Sequence, residues 1–393
     1  MKIGIVGQGA SGVLLAIMLK KESLDYDITI FDHNDKCNKK LLATGNGRCN
    51  LGNTIINKDS YNNEFAHNLV KDFNLEKQRE FFDSIGIMTR NIDNLVYPFS
   101  LSSNQLVSYL NKYCKKLKIK LVNNASLDEY NVNDDNISLI VKNKTYKFDK
   151  VIFATGGSST PNLGSDGSLI SLYKKHGYSF TNLKPGLTPV VVKENVKGVE
   201  NERVKCNVKL FINKSISYEE NGEVLFKKNG LSGIAIFNCA SIISRHKPSS
   251  KIKIVLDLFP NEDENNLIKK FEKYEGLADF SFLEGIFSVR VAEFIRKNSG
   301  AKNLLKFDPR DIKNIAKYVK NMEFTYEKNY DFASSQVTVG GLELTNVNEN
   351  LLSKKEKNIY FAGEVLDIDG LCGGYNLMLA FATSYRIFKD IIK

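Results

Sequence analysis

A glycine-rich segment at the N-terminus constrains the fold of this chain more than any other feature. Residues 3–6 form an apolar run with the length of a buried strand, and residues 13–19 have the apolar density of a buried helix. Between them, Gly7 permits a tight turn, Gly9 lets the backbone approach a pyrophosphate, and Gly12 lets the helix pack on the strand. Unpaired N–H groups and the helix dipole favour phosphates at this helix start. The predicted phosphate-binding residues are Gly7, Gly9, Ala10, Ser11 and Gly12.

An acidic residue follows the second predicted strand at the spacing that a dinucleotide site requires. Residues 27–31 form this strand, and Asp32 follows it, twenty residues after Gly12. A carboxylate at this separation meets the hydroxyl groups of the adenosine ribose. The alternative is that Asp32 only ends a strand and begins a turn. Because the glycine spacing, the strand, the helix and the acid agree, the sequence predicts a Rossmann-like dinucleotide-binding domain.

The composition is that of a globular protein without a disulfide framework or a zinc site. The chain has 393 residues, 42% of them hydrophobic, which is enough for buried cores in about two or three domains. Its six cysteines include no CxxC pair and its four histidines have no ligand spacing, so reduced thiols and no metal are predicted. The chain starts directly in its first strand and has no apolar run that could span a bilayer. We therefore predict a cytoplasmic protein without a membrane partner.

The net charge of +10 has two explanations. A basic surface attracts polyanions such as nucleic acids, and residues 187–328 contain 25 Lys and Arg against 19 Asp and Glu. However, lysine, asparagine and isoleucine are all abundant, which indicates a general compositional bias, and the chain has no dense arginine cluster. Charge alone is therefore weak support for nucleic-acid binding.

Residues 39–53 form a segment that is poor in regular structure and rich in hydrogen-bond donors. Its three glycines let the backbone come close to a flat or charged ligand, and its Arg and Asn side chains supply hydrogen bonds. The alternative is a flexible surface loop. Because the segment follows the nucleotide motif directly, we predict that it grips the same ligand, through Lys40, Thr44, Gly45, Asn46, Gly47, Arg48 and Asn50.

This segment resembles a motif of the bacterial HI0933-like flavoproteins, also called the BaiN/RdsA-like or aminoacetone-oxidase-like family. Family members carry KLLxSGxGRCNxTN after the glycine turn, and residues 40–53 here are KLLATGNGRCNLGN. Thr44 and Gly52 are mild departures from that pattern. The resemblance implies FAD as the cofactor and a fold of the two-dinucleotide-binding-domain type.

Further motifs extend the resemblance over almost the whole chain. Residues 151–157 are an apolar strand ending in Ala-Thr-Gly-Gly, residues 358–364 are a strand ending in Gly-Glu, and residues 369–377 place a glycine pair before a helix. In such flavoproteins these motifs lie beside the cofactor, at the ribityl chain and near N1 and O2 of the flavin, where backbone N–H groups meet developing negative charge. The predicted contacts are Ala125 with the adenine, Ala154, Thr155, Gly156 and Gly157 beside the cofactor, Gly363 and Glu364 at the ribityl chain, and Gly373, Gly374, Tyr375, Asn376 and Leu377 at the ring.

The predicted fold class is α/β, with a discontinuous FAD-binding domain. Residues 183–189 contain two prolines and a glycine, which end regular structure and mark a linker. We predict that residues 1–186 and 330–393 form the Rossmann-like FAD-binding domain. Alternating strands in residues 187–260 predict a small inserted β domain, and the helical pattern of residues 261–329 predicts a separate helical subdomain.

The resemblance implies an FAD-dependent oxidoreductase. Family members are described as reducing a conjugated C=C bond, in a bile-acid intermediate or in a uridine of large-subunit ribosomal RNA, and as oxidising aminoacetone. We predict hydride transfer from flavin N5 to a conjugated C=C bond. Ribosomal RNA is the candidate substrate and partner because of the net charge of +10 together with the separate β domain. The alternatives are a small-molecule oxidase or reductase and a non-catalytic flavin-binding protein. Only one complete GxGxxG motif is present, so NAD(P)H would bind transiently as reductant. The oligomeric state is left open.

Reduction of such a bond also needs a proton donor opposite the flavin. Our hypothesis assigns this role to Cys49 or Tyr375. Cys49 is equally well explained as a small buried packing residue. Cys372 is a weaker third choice, because the family has threonine at that position.

Overall fold

The computed structural model describes residues 1–274, 282–301 and 308–393. It divides into two compact units, of which the first comprises residues Met1–Pro185 and Ser335–Lys393 and the second comprises Gly186–Ser334. The first unit therefore contains all the motifs that the sequence assigns to the cofactor.

Both units are built from strands and helices. The strands are β1 (Lys2–Val6), β2 (Asp27–Phe31), β3 (Gly52–Asn53), β4 (Thr89–Ile92), β5 (Leu95–Pro98), β6 (Lys120–Val122), β7 (Leu127–Val132), β8 (Ile137–Val141), β9 (Lys144–Phe148), β10 (Lys150–Phe153), β11 (Lys184–Gly186), β12 (Val190–Val192), β13 (Arg203–Ile212), β14 (Ser215–Lys227), β15 (Gly230–Ser232), β16 (Ile252–Asp257), β17 (Met322–Asn329), β18 (Val337–Val339) and β19 (Ile359–Phe361). The helices are α1 (Ala10–Glu22), α2 (Lys39–Ala43), α3 (Glu64–Asp72), α4 (Leu75–Ser84), α5 (Ser103–Lys116), α6 (Ile170–Lys175), α7 (Ile234–Ser244), α8 (Glu264–Glu272), α9 (Val289–Ser299), α10 (Pro309–Lys320) and α11 (Tyr375–Ile391).

The first unit is organised around a parallel sheet with the strand order β19-β10-β1-β2-β6. The central strand β1 is an apolar run that is buried from Ile3 to Val6, as a strand covered on both faces must be. Helix α1 follows β1 and is buried along residues 11–20, and α11 packs against it, with the Ser384 hydroxyl donating to the Ser11 carbonyl at 2.9 Å. Strands β2 and β6 lie on one side of β1, and the later strands β10 and β19 lie on the other. The strand order therefore reverses at β1, and a ligand crevice is expected at its carboxyl end.

Two antiparallel sheets, β7-β8-β9 and β3-β5-β4, and the strand pair β11-β18 complete the first unit. Strand β3 carries the end of the donor-rich segment, because Gly52 pairs with Val96 and Asn53 pairs with Leu95 of β5. The small sheet therefore holds this segment beside the start of α11, where the Asn53 side chain donates to the Gly373 carbonyl at 3.0 Å.

The second unit is a closed barrel with the strand order β12-β15-β14-β13-β16-β17, and its helices share the barrel's hydrophobic core. The structure thus differs from the predicted division into a β domain (187–260) and a helical subdomain (261–329). Leu267, Ile295 and Ile315 of the helices belong to the same buried cluster as Val208 of the barrel. The physical reason is that β17 comes after α10 in sequence, and the barrel closes only through this strand. None of the helices that the structure describes has the length and hydropathy of a membrane span.

Because of Glu129 in β7, the first unit should lose stability at acidic pH. Its ion pair with Lys175 and its contact with His176, 3.1 Å from Oε1 to Nε2, lower its pKa from 4.5 to about 2. Since the unfolded chain takes up this proton more readily, the stabilisation is complete above pH 4.5 and is lost as the pH falls through about 2. We expect the free energy of unfolding in urea to fall across this window, and Glu129→Gln to reduce that fall. Glu80→Gln, which removes an exposed carboxylate, is the matched control and should leave the pH dependence unchanged.

Candidate cofactor and active site

The turn between β1 and α1 has the shape that a diphosphate requires. Gly7 has a φ of +111°, and a Cβ at this position would overlap the Ala154 carbonyl of the neighbouring strand. Gly9 precedes α1, and a Cβ there would meet no protein atom within 4 Å. The backbone at Gly9 therefore faces free space at the start of α1, where the N–H groups of the first turn have no partner within the helix. This space fits the diphosphate of FAD.

A cleft of about 290 Å³ adjoins this turn at the carboxyl ends of β1, β2 and β10. Gly7, Asp32, Ala125, Thr155 and Gly156, all predicted cofactor residues, line it together. Its other lining residues include Gly164, residues 166–170 and Tyr173, none of which was predicted from the sequence. The glycines in residues 164–167, between a strand and a helix, were the available signal for this part of the cleft.

Asp32 is held in place by the backbone around it. Its Oδ2 accepts the Gln8 N–H at 2.7 Å, and its Oδ1 accepts the Asn34 N–H at 2.8 Å. Oδ1 also accepts the Asn34 side-chain amide at 2.9 Å, so Oδ2 is the oxygen that can accept a further hydrogen bond, from a ribose hydroxyl.

Lys40 and Glu364 lie 324 positions apart in sequence and form one network. Lys40 Nζ is 2.7 Å from Glu364 Oε2 and 2.5 Å from the Ser159 hydroxyl, which donates to Glu364 Oε1 at 2.7 Å. The Thr338 N–H also donates to Glu364 Oε1, at 2.8 Å. Of these four residues, Lys40 and Glu364 were predicted from the sequence, and Ser159 and Thr338 were not. Ser159 comes two residues after the Gly156-Gly157 turn, and that closeness was the only signal for it.

The donor-rich segment meets the C-terminal glycine pair directly. The Asn50 side-chain amide is oriented with its nitrogen toward two backbone carbonyl groups. The nitrogen donates to the Gly52 carbonyl at 2.8 Å and to the Val96 carbonyl at 3.1 Å, and the side-chain oxygen accepts the Gly374 N–H at 3.2 Å. Gly374 has a φ of +95°, and a Cβ there would lie 2.6 Å from the Gly52 carbonyl. Backbone of two distant motifs is therefore in close contact at the start of α11, where the ring is predicted.

The remaining predicted cofactor residues differ in their exposure and in their hydrogen bonds. Thr44, Gly45, Asn46, Gly47 and Arg48 form a short turn at the surface, in which the Thr44 hydroxyl donates to the Leu41 carbonyl at 2.7 Å. The Asn376 side chain binds both the N–H and the carbonyl of Gly370 at 2.8 Å, so it braces the loop before α11. Ala154 and Gly157 follow the end of β10, Gly363 follows the end of β19, and Leu377 lies in the first turn of α11.

The two predicted proton donors have different environments. Cys49 is fully buried at a φ of +59°, and burial raises the pKa of its thiol to about 11. The structure thus places Cys49 in the hydrophobic core, in agreement with its alternative role in packing. The Tyr375 hydroxyl donates to the Ile55 carbonyl at 2.8 Å, and its ring packs edge-to-face on Tyr61. Cys372 is half-buried, with its sulfur 3.9 Å from the Gln336 amide oxygen.

The free space at the start of α1 and the adjoining cleft fit the diphosphate and adenosine parts of FAD, and the start of α11 is where the sequence predicts the flavin ring. The protein is an FAD-dependent oxidoreductase with a Rossmann domain, as the sequence predicts. Residues 1–389 match the family described as HI0933-like protein Rossmann domain, so the chain belongs to the HI0933-like family and the predicted resemblance is confirmed.

Three characterised relatives are similar to this chain along almost all of its length. It is 30% identical to the 3-dehydro-bile acid delta(4,6)-reductase of Clostridium scindens, over 98% of this chain and 97% of the relative. It is 26% identical to the ribosomal RNA dihydrouridine synthase of Haemophilus influenzae, over 98% and 97% of the two chains. The ribosomal RNA dihydrouridine synthase of Escherichia coli is 23% identical, over 99% and 97%.

Proposed function

We propose that this enzyme reduces a C=C bond that is conjugated with a carbonyl group. The observation that carries the proposal is the full-length similarity to relatives whose names describe this one kind of reaction on two kinds of molecule. Saturation of the uracil ring and reduction of a steroid dienone both need a hydride at the β-carbon and a proton at the α-carbon. When bound, FAD supplies the hydride, with NAD(P)H as the reductant that we propose for it.

The chain's own residues supply position, electrostatics and the proton. The start of α11 directs backbone N–H groups and the positive end of the helix dipole at the site where negative charge develops. Asn50 holds the Gly374 backbone there through its hydrogen bond at 3.2 Å. Of the two predicted proton donors, we propose Tyr375, because it is the first residue of α11 and directly follows the glycine pair at which the ring is predicted. Full burial of Cys49 speaks against that residue.

As the substrate we propose a uridine of large-subunit ribosomal RNA. The net charge of +10 and the two dihydrouridine synthase relatives support this choice. It implies that the protein works in the cytoplasm, where ribosomes are. A bile-acid-like enone is the second candidate, because the relative that acts on one has 30% identity. Aminoacetone oxidation is a third possibility that the family resemblance alone supports.

One experiment separates these candidates. The purified enzyme is reduced anaerobically with NADH or NADPH and then mixed with ribosomal RNA from cells that lack the gene, with a steroid 4,6-dien-3-one or with oxygen. Aminoacetone, whose oxidation would reduce the flavin, is instead mixed anaerobically with the oxidised enzyme. We expect rapid flavin oxidation by the RNA and formation of dihydrouridine, detected by mass spectrometry. Dihydrouridine in ribosomal RNA should also be absent from cells without the gene. Rapid oxidation by the dienone alone would establish the second candidate instead.

A further inference from the structure

The hairpin of β4 and β5 presents one face toward the site of the flavin ring. Residues opposite each other on antiparallel strands share a face, and the register pairs Arg90 with Tyr97 and Ile92 with Leu95. We call Arg90, Ile92, Leu95 and Tyr97 the hairpin face. A Cβ on Gly45 would lie 3.5 Å from the Tyr97 ring, and a Cβ on Gly373 would lie 3.7 Å from Leu95. The hairpin face therefore borders the two segments predicted to hold the flavin.

Two arginines flank this face without a carboxylate partner. Burial raises the pKa of Tyr97 and the positive charge of Arg48 opposes that rise, so Arg48 lies within electrostatic range of the phenol. Within the described ranges, the guanidinium groups of Arg48 and Arg90 make no hydrogen bond and no ion pair to protein. In contrast, Arg79 donates to the Asn91 side chain, and five further arginines pair with an Asp or a Glu, namely Arg203, Arg290, Arg296, Arg310 and Arg386.

Arg90 is also stacked on an exposed aromatic ring. Its guanidinium carbon lies 4.0 Å from the centre of the Phe99 ring, a cation–π contact that holds a planar donor over an apolar platform. Phe99 is 52% exposed, and Met88, whose carbonyl accepts the Phe99 N–H at 2.9 Å, is 64% exposed. Large apolar side chains exposed next to unpaired cations are typical of surfaces that bind a partner.

We propose that Arg90 and Phe99 form a nucleotide platform that binds the RNA segment next to the reacting uridine. In this role Phe99 stacks on a flanking base, the Arg90 guanidinium binds a phosphate, and Arg48 meets a second phosphate nearer the ring. Single-stranded RNA is recognised by this combination of aromatic stacking and cationic groups along its backbone. A bile acid offers one carboxylate and no aromatic ring, so it would leave one arginine unpaired and Phe99 without a stacking partner. The inference rests on the proposed RNA substrate and names the residues that select it.

The test measures RNA affinity and salt dependence in two variants of the FAD-loaded enzyme. Binding of a fluorescein-labelled oligouridylate is followed by anisotropy over a series of salt concentrations. Arg90→Ala should weaken binding about tenfold and reduce the slope of log affinity against log salt by about 1. Phe99→Ala should weaken binding about 5- to 100-fold with the slope unchanged, because stacking releases no counterions. Arg90→Lys should keep the slope and lose part of the affinity.

The controls separate this inference from the proposed function. Lys112→Ala removes one exposed charge from α5 of the same unit and should change affinity less than about twofold. Flavin absorbance reports that each variant is folded and loaded. If the wild-type enzyme reduces RNA but Arg90→Ala and Phe99→Ala bind it normally, the platform is refuted while the function stands. If the wild-type enzyme neither binds nor reduces RNA and Arg90→Ala instead slows dienone reduction, the RNA substrate and the platform both fail.

Discussion

Replacing Gly9 by alanine should weaken FAD binding by up to about 100-fold while the protein still folds without the cofactor. A Cβ at this position meets no protein atom within 4 Å, and its φ of −84° suits any residue, so only a bound diphosphate would collide with the methyl group. Such overpacking costs about 1–3 kcal/mol, which at its upper end weakens FAD binding about 100-fold. Titration of the apoprotein with FAD, followed by flavin fluorescence, measures this loss. The melting temperature without FAD should fall by only a few degrees, since alanine is a slightly poorer helix N-cap than glycine.

Gly7→Ala is the matched control, because it adds the same methyl group two residues earlier. There the methyl group overlaps the Ala154 carbonyl, and the φ of +111° is strained for alanine, so the apoprotein itself should be destabilised. Equal FAD affinity in Gly9→Ala and the wild type would show that the diphosphate does not lie at this turn.

The sequence alone predicted those parts of the site that depend on short-range pattern. The glycine turn and Asp32 lie within about thirty residues, and one strand–helix–strand unit of parallel sheet brings them together. The apolar character of β1 and α1 requires burial on both sides, which only a layered α/β fold provides. Local pattern and tertiary structure agree here, so the fold class could be derived without coordinates.

Contacts between distant segments could not be derived in this way. The hydrogen bond of Asn50 to Gly374 and the network of Lys40, Ser159 and Glu364 join residues from opposite ends of the chain. Hydrophobic periodicity gives the buried face of an element but not its partner. Only the resemblance to a flavoprotein family suggested that both ends meet one cofactor.

Two features of the structure could not be decided from the sequence pattern, for identifiable reasons. Cys49 has a left-handed backbone conformation, uncommon for residues other than glycine, and its side chain is buried in the core. The helices of residues 261–329 are amphipathic, which indicates an apolar face without showing what covers it. In the structure that face packs on the barrel, so the strands and helices of residues 186–334 form one unit.

Tyr375→Phe should slow oxidation of the reduced flavin by the unsaturated substrate about 10²- to 10⁴-fold, the usual contribution of a general acid. The variant keeps the aromatic ring that packs on Tyr61 at a centroid distance of 5.9 Å. It loses only the hydroxyl that donates to the Ile55 carbonyl, so FAD affinity and flavin reduction by NAD(P)H should stay near wild type. Stopped-flow absorbance resolves the two half-reactions, and only the oxidation by substrate should change.

Tyr61→Phe provides the comparison for this prediction, because it removes a neighbouring hydroxyl that lies 3.5 Å from the Tyr375 carbonyl. That hydroxyl interacts only weakly at this distance, so the rate should remain within about twofold of wild type. If both variants slow the substrate step equally, the effect comes from disturbed packing of the two rings. If Tyr375→Phe keeps the wild-type rate, the proton comes from another group. The next residue to replace is then Tyr97 of the hairpin face, whose hydroxyl has no hydrogen-bond partner among the residues that the structure describes.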